Sequence, residues 1–115
     1  MATKTDEKVG KYIHEVKGTL GEEPDVDLLR KITEYCGPSI FRSDAETVSS
    51  SSESEMETVK KSFLINKLGL KDDSKLDKGL EAVIEKYGKS NRHKYRAVVY
   101  YLLTKHFKKE DVFSN

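Results

Sequence analysis

Residues 88–96 read GKSNRHKYR. Gly88, Lys89 and Ser90 are residue types that cradle phosphate, and Arg92, Lys94 and Arg96 follow at alternate positions. A Walker-type nucleotide loop needs another glycine five positions before Gly88, where Val83 stands, and a strand ahead of it, where the sequence reads as helix. Gly88 is better explained as the stop of one helix, and Ser90 or Asn91 as the cap of the next.

Two helices around a tight glycine turn, the second opening on basic residues, is also the layout of a helix-turn-helix. Here the turn position that should face the core holds Lys94, and the helix becomes too apolar after Arg96 to lie in a DNA groove. What remains is electrostatic. Cations in the first turns of a helix oppose its dipole, at roughly 0.3–1 kcal/mol each when exposed. Three arrangements would offset this. One is an acidic segment of the same chain, such as Glu22-Glu23 or Asp72-Asp73. Another is an external anion held by free backbone N–H groups and basic side chains. The third is solvent screening. Lys89, Arg92, Lys94 and Arg96 are therefore the candidate anion-binding residues.

Other reactive types are scattered. His14, His93 and His106 lie far apart and Cys36 is the single cysteine, so no metal set forms and no cofactor is expected. His106 falls on an apolar helical face and reads as a core histidine. Cys36 sits near a helix end, where the dipole raises a thiol pKa, and reads as packing. No carboxylate pair is isolated in apolar surroundings. The expectation is a protein without catalytic activity.

Five helices must position these residues. Val9, Tyr12, Ile13, Val16 and Leu20 predict a helix near 5–18. Pro24-Asp25 opens a second, closed by Gly37 and Pro38. Ser43 to Glu46 has capping-box spacing, enough for a helical turn, and residues 48–52 read as an exposed serine-rich loop. Ser52 caps a third helix bearing Met56, Val59, Phe63 and Leu64, which stops near Gly69. The fourth runs from Asp73 or Ser74 to Gly88 with Leu76, Leu80, Val83, Ile84 and Tyr87 on one face. The fifth runs from Ser90 or Asn91 to about Phe107. No strand-like alternation of useful length is present. The fold class expected is all-α: a compact bundle of about five helices in one domain over 1–115, with flexible ends near 1–4 and 112–115.

The fifth helix is apolar around most of its girth. Tyr95, Val98, Val99, Leu102, Leu103 and His106 share one face; Ala97, Tyr100, Tyr101 and Phe107 lie outside it, and only a stripe near His93, Thr104 and Lys108 is polar. Such a helix is either central or carries an interface. Burying the run from Ala97 to Leu103 contributes on the order of ten kcal/mol before entropy. Tyr100, Tyr101 and Phe107 are the candidate interaction surface.

Charge is uneven along the chain. Residues 1–57 hold 7 Lys/Arg and 13 Asp/Glu, a net of −6, and residues 58–115 hold 14 and 7, a net of +7. Either the halves fold against each other or the basic half meets an anionic partner. The opening MATKTDEK has no apolar signal region, the longest apolar run is far below the ~20 residues that span a bilayer, and the lone cysteine suits a reducing compartment. A cytoplasmic protein with no membrane association is expected.

Three segments, GPSIFRSDAETVSSS, TVKKSFLINKLGL and EKYGKSNRHKYRAVVYYLLTKHF, resemble a small bacterial family catalogued as a domain of unknown function, number 2853, over about residues 8–113. The last is the most specific; His93 stands where that pattern has Asn. The resemblance implies a compact helical protein and carries no activity, substrate or catalytic residue. The functional expectation is a small binding module of unknown function. A homo-oligomer or protein partner comes first, nucleic acid or a phosphate anion second, and an enzyme of unidentified class third.

Overall fold

The computed structural model describes residues 3–42, 45–49, 52–88 and 94–113. Helix α1 spans Lys4–Thr19. Thr3 accepts from the Asp6 backbone N–H while Asp6 accepts from the Thr3 backbone N–H, a reciprocal cap that satisfies two otherwise orphaned donors. Helix α2, Val26–Cys36, starts on an Asp25 side-chain cap and stops where Gly37 adopts φ 60°. A 3-10 turn, Gly37–Phe41, follows.

Ser52 caps α3, Glu53–Thr58, whose backbone continues without a break as a π-helix over Val59–Lys67. Its wider ladder is seen in Leu68 N–H donating to Phe63 O at 2.9 Å. Val59, Phe63, Leu64 and Leu68 are all buried. They lie four, five and nine positions apart, a spacing that the wider turn brings onto one stripe and an α-helix would splay. Helix α4, Ser74–Tyr87, buries Leu76, Leu80, Val83, Ile84 and Tyr87, as its periodicity predicts.

The last element differs from expectation. Helix α5 spans Arg96–His106, beginning about five residues later than the capping residues suggest and shorter than α1 or α4. Ahead of it Lys94–Tyr95 forms a two-residue strand, β2, antiparallel to β1, Thr47–Val48, with Val48 opposite Lys94. Strands this short have no alternation to read. Ser90 and Asn91, the expected caps, and Ser43 and Asp44 of the expected turn lie outside the described residues.

Helix α5 is nonetheless central: every residue from Ala97 to Thr104 is buried, and α1, α2 and α4 pack around it. The expected polar stripe does not reach water at Thr104, whose hydroxyl donates to Tyr100 O at 2.8 Å inside the core. One apolar cluster runs from Tyr12 to Phe113. The fold is an all-α bundle with a minimal β-bridge. Thr3 and Lys4 belong to the cap and start of α1, and Phe113 is buried in a final 3-10 turn over Glu110–Phe113, so elements extend into both expected loose ends. Val48, expected in an exposed loop, is buried; Ser49 beside it is exposed.

Candidate functional site

The densest polar constellation among the described residues lies where α1, β1 and the start of α5 meet. Lys8, Lys11 and Tyr12 are three and four positions apart on α1 and so share a face. All three donate to one atom, Glu46 Oε2: Lys8 Nζ at 3.0 Å, Lys11 Nζ at 3.1 Å and Tyr12 Oη at 2.8 Å. Glu46 itself is held through its backbone. Its N–H donates to Arg42 O at 2.8 Å and its carbonyl accepts from Arg96 N–H at 2.7 Å.

The electrostatics follow. Burial works to raise the Glu46 carboxyl, but the bonds from Lys8, Tyr12 and Lys11 outweigh it and hold the group below its ordinary range. Burial first, and then the neighbouring carboxylate, push the Tyr12 hydroxyl far up, so it remains a neutral donor. Burial works against the charge on Lys11, yet Glu46 carries its pKa upward. Lys11 Nζ also lies 4.5 Å from the ring centre of Tyr95, and Tyr95 packs on Tyr12 with ring centres 5.3 Å apart. Behind them Tyr87 donates to Glu15 Oε2 at 2.6 Å and accepts from Tyr95 N–H at 3.2 Å.

The anion-binding candidates divide. Lys89 and Arg92 lie outside the described residues. Lys94 is 2% exposed, a side chain drawn into the protein rather than offered at a surface, and burial pushes its ammonium pKa down. Arg96 is spent on its own chain: Nε donates to Ala45 O at 2.8 Å, Nη1 to Tyr100 Oη at 3.2 Å and Nη2 to Glu55 Oε1 at 3.3 Å. The charge of Arg96 at the head of α5 is therefore met by an internal acid, but that acid is Glu55. Glu22 pairs instead with Lys86, and Asp72 with Lys60.

Two of the three residues of the expected interaction surface, Tyr100 and Tyr101, lie in the core. Tyr100 is 6% exposed and stacks on Phe63; Tyr101 is 2% exposed and its hydroxyl accepts from Asp25 N–H at 2.9 Å. Phe107 is half-buried against α4, where a Cβ on Gly79 would fall 2.3 Å from Phe107 Cζ. These rings lie off the main apolar stripe on a helix that α1, α2 and α4 contact from several sides. Among the described residues the exposed large apolar side chains are Val26, Tyr35 and Phe41.

His106, expected in the core, is exposed. With Glu22, Lys86 and Lys105 it edges an open concavity of about 310 Å³ floored by Val83 and Leu102. Burial pushes the Cys36 thiol up to about 12, against the opposing charge of Arg96. Among the described residues no group of three or more His, Cys, Asp or Glu is placed to hold a metal ion, and no helix is long and apolar enough to cross a membrane.

The residues missed from the sequence are Lys8, Lys11, Tyr12 and Glu46. A signal existed for the first three, in the helical spacing of KVGKY; nothing local marks Glu46 as their acceptor. No curated protein matches the chain. The family model described as "Protein of unknown function (DUF2853)" matches residues 11–111, from within α1 to within the last 3-10 turn, and the chain belongs to that family.

Proposed function

We propose that this protein is a non-enzymatic cytoplasmic binding module whose ligand is nucleic acid, engaged through backbone phosphate at the end formed by α1, the β-bridge and the start of α5. The observation that carries the reading is two lysines sharing one carboxylate. Lys8 and Lys11 together bring two positive charges to Glu46, which returns one. Lys11 remains 42% exposed at its side chain, open to a second anion. A surplus of cations at one end attracts a polyanion even where net charge is only +1. The raised pKa of the half-buried Cys36 thiol supports a reading without a cysteine nucleophile. The single free cysteine also suits the cytoplasm.

Fluorescence anisotropy with a short labelled oligonucleotide tests this. Affinity should fall steeply as salt rises, because phosphate contacts release counterions. Lys11→Glu should weaken binding strongly. Lys75→Glu makes the same charge change on exposed surface at the start of α4, about 18 Å along that helix from Tyr87, and should have little effect. Equal losses in both variants, or affinity indifferent to salt, would overturn the reading.

A second reading, partnership with another protein or a second copy, is favoured by a different observation. Tyr35 and Phe41 are 42% and 47% exposed near the end of α2 and in the turn after it. Sedimentation of the native chain beside a Tyr35→Ser, Phe41→Ser double variant decides it. A native species heavier than the variant supports association, and two identical monomers dismiss a homo-oligomer.

A further inference from the structure

Glu46 presents α1 with something already shaped like a ligand. Three donors converge within 3.1 Å of a single oxygen, the contact set that a bound phosphate oxygen receives, and the anion supplying that oxygen belongs to the protein. Among the described residues the fit is incomplete in charge: Lys8 and Lys11 share the one carboxylate of Glu46. A phosphomonoester carries between −1.5 and −2 at neutral pH and would balance them, whereas the phosphodiesters within a nucleic-acid strand carry one charge each.

The backbone of Glu46 is held independently of its carboxylate, through Arg42 O and Arg96 N–H, so its position does not depend on the three side-chain donors. The two lysines reach solvent, their side chains being 24% and 42% exposed, while the Glu46 side chain is 12% exposed and Tyr12 is buried behind them. Tyr12 supplies a fixed neutral donor at the back, with Tyr95 closing one side.

We propose that Lys8, Lys11 and Tyr12 form a subsite for a terminal phosphomonoester, such as the 5′-phosphate of a nucleic-acid strand, and that Glu46 occupies it as an internal counter-ion until that dianion displaces it. The inference rests on the nucleic-acid reading above and adds to it the strand end as the preferred feature.

The test compares one oligonucleotide with and without a 5′-phosphate, at fixed salt, by anisotropy. The native protein should bind the phosphorylated form severalfold more tightly. Glu46→Gln, which keeps an acceptor for Tyr12 but removes the competing charge, should enlarge that preference. Lys8→Gln with Lys11→Gln should erase the preference while some salt-dependent binding persists. Folding of each variant is checked by circular dichroism. In the unaltered protein, phenyl phosphate should shift the amide signals of Lys8, Lys11, Tyr12 and Glu46, which gives a readout free of substitutions. If both oligonucleotides bind equally in a salt-dependent manner, the subsite is wrong and the broader reading stands. If neither binds, both fall.

Discussion

Phe63 and Tyr100 stack face to face, ring centres 4.0 Å apart and planes 12° from parallel, across the junction of the π-helical segment and α5. Phe113 reaches the same stack from the C-terminal turn, 6.3 Å from Phe63, and Tyr35 covers it from α2. Four separate elements thus meet at one buried ring. Phe63→Ala should cost about 3–5 kcal/mol, the range for emptying a large core position. Tyr100→Phe keeps the ring and loses only the hydroxyl bonded to Arg96, so it should cost about 1.5–3 kcal/mol at most. Denaturant unfolding of the two variants checks the order.

Replacing glycine with alanine inside a helix ordinarily stabilises by about 0.5–1 kcal/mol. At Gly79 the sign should reverse. The added Cβ would lie 2.3 Å from Phe107 Cζ and 2.8 Å from Cε2, so the ring must leave its place against α4. Overpacking of this kind costs about 1–3 kcal/mol. Adding Phe107→Ala to Gly79→Ala should make the glycine substitution itself nearly harmless, and a double-mutant cycle measures that coupling.

The carboxyl of Glu46 titrates below its ordinary 4.5 in the folded protein. The unfolded chain therefore takes up that proton first as pH falls. The stability contributed by Glu46 is complete above about 4.5 and is lost as pH drops through the lower, folded-state value. Thermal melts taken from about pH 7 down to about pH 3 should show native Tm falling along this limb. Glu46→Gln should flatten it and leave the neutral-pH end lower than native.

Arg96→Lys should be costly despite conserving charge. The guanidinium reaches a carbonyl, a hydroxyl and a carboxylate in three directions, and a lysine ammonium on its flexible stem cannot serve all of them. A loss of about 1–3 kcal/mol is expected, with hydrogen exchange rising first at the β1–β2 bridge, which Arg96 ties to Ala45. Unchanged exchange at Thr47 and Val48 would show that the bridge does not depend on this side chain.

The helices are legible in the sequence because their causes are local. Asp25, Ser52 and Asp73 cap the backbone that follows them, Gly37 and Gly88 end helices at positive φ, and the stripe from Leu76 to Tyr87 repeats at helical period. The girth of α5 likewise announces burial on all sides, whatever it packs against. Its starting point does not, because Lys94 and Tyr95 are drawn into a bridge by Thr47 and Val48, residues nearly fifty positions away. A resemblance over most of the chain carried the family but no chemistry.

The functional constellation belongs to the tertiary structure alone. Lys8, Lys11 and Tyr12 share a face by helical spacing, yet their acceptor lies more than thirty residues on, in a segment without regular periodicity. Arg96 reads as an exposed cation at a helix start until Ala45, Glu55 and Tyr100 close around it. Local sequence fixes where the backbone coils and which faces shed water; it does not fix which distant carboxylate answers which cation. Long, flexible charged side chains find partners only after the apolar core has set the elements in place.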